Sequence, residues 1–363
     1  MSIQERGISI APQQERQSIL SSTGDLGVSR RSDGRLYING TRFSSNHSEV
    51  EENFRRVLAI KQRYEKKIGR VVFRGLVSEG VIAHLLTSDL KRHIEVAFPV
   101  GEFTRDDSWL IYMANNREGR NPIIPLESMM LETNVNGRES TLPLEKVKSA
   151  IERGFTFTDI IKDEETDQVY ALWGETFGWQ KHQIVNLAGR LNEARLQDTT
   201  NKDVWFSAVK DRGGRIVGLA MAERLSIPGR DMTALDIVES TEWNVLKEFE
   251  GNGLMTANVA RLNAQILSDL GNDSGRLPLI FAECNFQSHA ERVGRGAGLR
   301  VPERTFVPQI LVQNVSIRDG QPIEDGKLRD FTFMYLSVDL MQRHYDPSQV
   351  EAMMQVTRAK SFA

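Results

Sequence analysis

The 363-residue sequence holds a single cysteine, Cys284. One thiol excludes an intrachain disulfide and any metal site built on a cysteine cluster. The six histidines are scattered, with no H-E-x-x-H or comparable ligand spacing, so no metal is expected. A surplus of either charge is also missing: 46 basic residues face 49 acidic ones, a formal −3 at pH 7. That balance gives no electrostatic reason to expect nucleic acid or an anionic membrane as a partner. No apolar run approaches the ~18–20 residues of a membrane span. The polar opening MSIQERGISIAPQQERQS lacks the apolar core of a signal peptide. A cytoplasmic protein is expected.

What is present describes a globular chain with ample core: 40 % hydrophobic and 26 % charged residues, in a length that suits two domains. Residues 1–32, rich in Gln, Ser, Arg and Gly, read as a flexible arm. Residues 33–114 read as a small α+β domain. It opens with a strand at Arg35–Asn39 closed by Asn39-Gly40, followed by a helix from Ser48 with Val50, Phe54, Val57 and Leu58 on one face. Three apolar runs of strand length follow, at Val71–Phe73, Val81–Leu86 and Ser108–Met113. Residues 115–152, with Pro, Gly and Asn signals and then a short helix from about Leu144, read as a linker.

Residues 153–340 have a clearer order, β-α-α-β-β-β-α-β-α-β-β. Asp163 is expected to cap the first helix. Val204–Val209 and Ile216–Ala222 are expected to form a hairpin through Asp211-Arg212-Gly213-Gly214. A long strand at Ala234–Leu246 runs into Glu250-Gly251-Asn252-Gly253 and then an amphipathic helix with Met255, Val259, Leu262, Ile266 and Leu270 in register. Leu279–Ala282 is a buried-type strand, and Ser288-x-x-Glu291 is a capping box. Two last strands are placed near Thr305–Val312 and Phe331–Val338, around a loop at 319–327. Residues 341–363 read as a C-terminal tail.

A strand that turns through glycines into a helix aims several backbone N–H groups at one spot, at the positive pole of the helix, which suits a phosphate. Glycines there also serve simple tight turning. Just upstream lie Asp236, Glu239 and Glu242. On a regular strand Asp236 and Glu242 share a face and Glu239 takes the other, unless a bulge intervenes. Such carboxylates suit either a solvated edge or the uptake of an ammonium proton.

The element order, with the glycine turn between the fourth strand and third helix, resembles the GNAT superfamily of N-acyltransferases over about residues 153–340. The family motif Q/R-x-x-G-x-G/A falls on Glu250, Gly251, Asn252, Gly253, Leu254 and Met255. A weaker resemblance joins Glu239-x-Thr241-Glu242-Trp243 and Gln313-Asn314-Val315-Ser316-Ile317 to the β-lysine N-acetyltransferases, which also carry an N-terminal α+β region. The implied fold is α/β (α+β): a central mixed, mostly antiparallel sheet flanked by helices, preceded by a small α+β domain.

The implied activity is transfer of an acetyl group from acetyl-CoA, a co-substrate, to a primary amine of a small molecule such as a lysine-like amino acid. Residues 250–255 would hold the CoA pyrophosphate. A backbone N–H near Val245 or Leu246 would polarise the thioester carbonyl, Glu239 or Glu242 would relay the ammonium proton, and Asn285 would hold the pantetheine arm or a water. A homodimer is one assembly the resemblance allows.

Three departures from the family pattern matter. Glu250 stands where Gln or Arg is usual, and a carboxylate there repels a pyrophosphate unless it turns to solvent. Met255 replaces a small residue and is expected to narrow the approach. Alignment on Gly298 puts Gly294 where a Tyr general acid is common, leaving Cys284, Asn285, Ser288 and His289 as nearby substitutes. Trp173, Phe177 and Trp179 read as core or as a pocket wall, and Arg292, Arg295 and Arg300 as a solvated face or phosphate ligands. The alternatives are a binding protein of this fold without turnover, and a transferase using a longer acyl group or an acyl-carrier donor.

Overall fold

The computed structural model describes residues 27–30, 35–40, 43–63, 70–114, 142–177, 203–230, 234–274, 276–285, 288–301, 309–318 and 321–359. They group into two compact units: Met1–Ile123 with Ile227–Ala234 and Arg304–Asp330, and Ile124–Ser226 with Leu235–Glu303 and Phe331–Ala363.

In the first unit a five-stranded sheet has the order β1-β2-β3-β5-β4. The strands are β1 (Gly27–Arg30), β2 (Arg35–Asn39), β3 (Arg70–Ser78), β4 (Ile94–Pro99) and β5 (Ser108–Ala114). β1, inside the stretch expected as an arm, pairs antiparallel with β2, and β2 pairs parallel with β3. Helix α1 (His47–Arg63) buries Val50, Phe54, Val57 and Ile60, a stripe at helical spacing that joins the apolar core. The apolar run Val81–Leu86 is not a strand but the centre of helix α2 (Glu79–Thr87), burying Val81, Ile82 and Leu85. A short apolar run fits either element, and here the i, i+1, i+4 spacing and the serines at both ends favour the helix.

A second sheet has seven strands in the order β11-β12-β10-β9-β8-β7-β6. These are β6 (Thr156–Thr158), β7 (Val204–Lys210), β8 (Ile216–Pro228), β9 (Ala234–Val245), β10 (Leu279–Asn285), β11 (Gln309–Arg318) and β12 (Gln321–Tyr335). β6 with β7, β7 with β8, and β10 with β12 run antiparallel, whereas β9 with β10 is parallel. The fold class is thus α/β with a mixed, mostly antiparallel sheet and flanking helices, as expected. The hairpin also forms as expected: Asp211 Oδ1 accepts from the Gly213 and Arg215 amides at 2.9 and 3.0 Å. Residues 321–327, read as loop, belong to β12 instead.

The helices of the second unit are α3 (Pro143–Glu152), α4 (Thr166–Phe177), α5 (Leu254–Ser274), α6 (His289–Gly296), α7 (Val338–His344) and α8 (Pro347–Ala359). α7 and α8 lie in the stretch expected mostly as a tail. Asp163 does not cap α4; it opens a 3₁₀ turn whose Glu165 side chain accepts from the Lys162 amide at 3.0 Å. The second helix of the expected order and the linker residues 115–141 lie outside the described residues.

α5 packs on β7, α3 and α8, so most of its first 14 residues, 254–267, are buried on every face. Its polar members therefore need partners. Asn258 donates to the Ser207 carbonyl at 2.9 Å and its Oδ1 receives the Ser207 hydroxyl at 2.6 Å, locking helix to sheet. Trp205, fully buried, donates its indole N–H to Asp269 at 2.8 Å. Burial of a large apolar side chain of this kind contributes about 1.5–3 kcal/mol. Among the described residues, no helix is long and apolar enough to cross a membrane.

Candidate functional site

The glycine turn lies where β9 leaves the sheet and α5 begins. A 3₁₀ turn at Lys247–Phe249 leads to Glu250, extended at φ −63° and ψ 157°. Gly251 and Gly253 then take φ +77° and +70°, a region open to glycine at little cost. Nothing lies within 4 Å of where a Cβ would sit on either, so backbone conformation, not crowding, requires glycine there. The first helical bond runs from the Ala257 amide to the Gly253 carbonyl at 3.0 Å. The amides of Leu254, Met255 and Thr256 therefore have no i−4 carbonyl to use, and they point out along the helix axis. That is a donor array with the sign to hold an anion.

Two cations from α3 flank this array, and sequence reasoning missed both. Arg153, just past the end of α3, donates from Nη1 to the Asn252 carbonyl at 2.9 Å, with its guanidinium 5.7 Å from the Phe155 ring centre. Lys146, two turns back on the same face at i−7, donates to the Gly296 carbonyl at 3.2 Å, and burial lowers its pKa. Their spacing on one face of α3 is the signal that would have found them. Glu250 is exposed. Met255 does not narrow the approach: it is 7 % exposed, and its Cε packs 3.4 Å from the Cβ position of Gly218 on β8.

The strands beside the turn form a wedge. β9 and β10 pair in parallel through Ile237–Leu279, Val238–Ile280 and Glu239–Phe281, where the pairing ends. β10 continues to Asn285 along β12, and β9 continues to Val245 along β8. Leu246 donates its N–H to Val217 on β8 at 2.9 Å. That bond removes Leu246 from the expected role of polarising a carbonyl. Successive N–H groups of an extended strand point to opposite edges, so the Val245 N–H is directed toward the wedge.

Within the wedge, Glu242 has φ +55°, rare for a residue with a long side chain. A left-handed residue inside the strand breaks the regular alternation expected for the acids. Asp236 is held by Arg224 at 2.9 Å and Ser226 at 2.6 Å. Glu239 is buried, 6 % exposed, at the last paired position, while Glu242 is half-buried. Asn244 donates to the Glu242 carbonyl at 3.1 Å, and its buried Oδ1 has no hydrogen-bond partner among the described residues. A buried acceptor left unsatisfied is costly and suits a ligand N–H.

Trp243 crosses from β9 to α6. Its indole N–H donates to Ser240 Oγ at 2.9 Å. A methyl group on Gly294 would lie 3.4 Å from indole Cη2 and Cζ3 and 3.3 Å from Met334 Sδ. The aromatic ring thus stands beside the position where the family resemblance leads one to expect a Tyr.

The substitute acids fare unevenly. Burial, reinforced by Glu291 and Glu283, pushes the Cys284 thiol far up, which leaves it a protonated core residue. Ser288 caps α6 by accepting from the Glu291 amide at 3.3 Å. His289 Nδ1 meets Arg292 Nη2 at 3.0 Å on the exposed face. Arg295 is paired with Glu291 at 2.6 Å. Asn285 closes β10 opposite Phe331, and its side chain lies outside the described residues, as does Trp179. Trp173 is fully buried core. No group of three or more His, Cys, Asp or Glu able to hold a metal occurs among the described residues.

No protein-family model matches this chain, and no curated protein matches it. Solved structures of similar architecture each cover about half of it. Arabidopsis thaliana NAA60 in complex with acetyl-CoA is 9 % identical at a TM-score of 0.37, over 51 % of this chain and 99 % of that one. Salmonella typhimurium yncA with acetyl-CoA is 18 % identical at 0.35, over 51 % and 95 %. Spermidine N-acetyltransferase SpeG from Vibrio cholerae is 13 % identical at 0.33, over 52 % and 95 %. At such values the likeness carries no chemistry across, and the site geometry alone bears on function.

Proposed function

We propose that the second unit is a GNAT-type N-acetyltransferase that moves the acetyl group of acetyl-CoA to a primary amine of a small molecule, a lysine-like amino acid being the first to try. The observation that carries this reading is the wedge itself: a parallel strand pair released after Glu239–Phe281, with the anion-binding end of α5 at its mouth. The residues present fit CoA. The amides of residues 254–256 suit the pyrophosphate, and Arg153 brings a positive charge to a turn whose own side chain is Glu250. The orphaned Asn244 Oδ1 suits an amide N–H of the pantetheine arm.

In this reading the Val245 N–H polarises the thioester carbonyl. Glu242, half-buried and left-handed on the released half of β9, takes a proton from the substrate ammonium, directly or through water, with Glu239 as the deeper alternative. The free amine attacks the carbonyl carbon, the C–S bond breaks, the nitrogen of the new amide releases its second proton to water, and the thiolate takes a proton from water, since Gly294 offers no acid. A cytoplasmic monomer or homodimer would both serve.

The test is mass-spectrometric detection of acetylated products from a panel of small primary amines with acetyl-CoA, using the wild type and the single variants Glu242→Gln and Glu239→Gln. Product formation lost in either variant supports the relay, and turnover unchanged in both removes it. A second reading, CoA binding without turnover, is favoured by Gly294 alone. Binding with no product across the whole panel would select it.

A further inference from the structure

Resting on the acetyl-CoA reading, we infer that Trp243 is a specificity-determining wall that limits the acyl group to the size of acetyl. The wedge narrows from the glycine turn toward Glu239–Phe281, where β9 and β10 join. A chain entering at the mouth of α5 with its phosphates held there advances toward that closed end. Trp243 stands on the released half of β9, beside this route, and its bond to Ser240 Oγ draws the indole back toward the closed end.

The far edge of the ring rests at Gly294, with Met334 Sδ beside it. A methyl group at position 294 would touch the indole at ordinary contact distance and press on Met334 Sδ, so it is a side chain larger than alanine that would take the ring's space. The indole N–H is already spent on Ser240, so the surface offered to a ligand is apolar and without a donor. Such a surface acts by excluding volume. An indole is also stiff, with only two side-chain torsions, and two of its contacts are fixed by other elements of the sheet and α6.

The left-handed conformation of Glu242 supports the same assignment. It sits immediately before Trp243 and resets the facing of the residues that follow. A strained backbone next to a ring that closes a wedge is the arrangement expected of a specificity element. An acetyl group ends short of the ring, whereas the added methylenes of a butyryl or hexanoyl group run into it. An indole occupies more volume than the extra chain of a hexanoyl group, so its removal makes room for one.

The test is isothermal titration of the full chain with CoA, acetyl-CoA, butyryl-CoA and hexanoyl-CoA, for wild type, Trp243→Ala and Trp243→Phe. Wild type should bind CoA and acetyl-CoA within about twofold of each other and hexanoyl-CoA about tenfold more weakly. Trp243→Ala should move the hexanoyl-to-acetyl ratio about tenfold toward hexanoyl while CoA itself changes by no more than about twofold, with Trp243→Phe between. If Trp243→Ala does not fold, as judged by its thermal melt, Trp243→Phe carries the test alone.

A chain-length ratio unchanged in the folded variants, with CoA still bound, overturns the inference and leaves the acetyl-CoA reading standing. CoA binding that appears only in Trp243→Ala would make the ring a plug and overturns it equally. No binding of any ligand by any of the three proteins sinks both readings together.

Discussion

The two halves of β9 differ in what lies along their edges. From Ile237 to Glu239 the strand has β8 on one side and β10 on the other, and Ile237 and Val238 are fully buried. From Ser240 to Val245 the β10 edge is released, the backbone passes through left-handed Glu242, and Thr241, Glu242, Trp243 and Val245 are only half-buried. One element thus serves as core in its first half and as a candidate site in its second. The difference teaches that the site arises from ending one pairing early. In the proposed reading, the binding groups are backbone N–H and side chains from α3 and from β9 itself.

Variants that hit one half and spare the other sharpen this contrast. The largest effect is expected in the paired half. Ile237→Ala should lower unfolding free energy by about 2–5 kcal/mol, read by urea denaturation, with the acetyl-CoA affinity of the folded fraction unchanged. A loss of affinity larger than the loss of stability would break the division. Next comes Gly253→Ala at the mouth of the wedge. A left-handed alanine costs about 1–2 kcal/mol. Because the same backbone aims the α5 amides, acetyl-CoA affinity should fall about tenfold, beyond what the stability change explains.

At the opposite edge of the sheet, Glu165 gives a pH-dependent control. Burial raises its pKa, but hydrogen bonds from Lys210, at 2.5 Å, and from the Lys162 amide outweigh it, so the net shift is downward. A carboxyl depressed on folding contributes stability above its unfolded pKa of about 4.3, and that contribution is lost as pH falls through the folded value. Thermal melts should therefore show Glu165→Gln less stable than wild type at neutral pH, with the gap closing in acid. A gap that widened in acid would reverse the assigned sign. Acetyl-CoA binding at neutral pH should not change.

The smallest effect is expected for Arg153→Ala. It is exposed, so stability should stay within about 0.5 kcal/mol. Acetyl-CoA affinity should fall about threefold at low salt, with the difference shrinking as salt rises, because the lost charge is screened. Isothermal titration at two ionic strengths reads it.

What could be read from the sequence was local. The strand–turn–helix at 234–274, the hairpin at 211–215 and the Ser288 cap each depend on residues a few positions apart, and all three stand in the structure. The apolar run 81–86 misled because a six-residue run carries no length signal. The role of Leu246 N–H turned on a register with Val217, which no local pattern encodes. Trp243 and Gly294 were both noted in the sequence, one in an acidic motif and one as a departure from a family pattern. Only the fold brings the ring of one to the empty side of the other. The left-handed backbone at Glu242 likewise overrode an alternation that reads as regular.

The most direct measurement is thermal denaturation of the intact chain with increasing acetyl-CoA. Ligand that binds the folded wedge should keep raising the midpoint with the logarithm of its concentration above Kd, adding about 2.7 kcal/mol of stability at a hundredfold excess over Kd, and Gly253→Ala should need more ligand for the same rise. An unmoved midpoint at millimolar acetyl-CoA would contradict the assignment of this wedge to CoA.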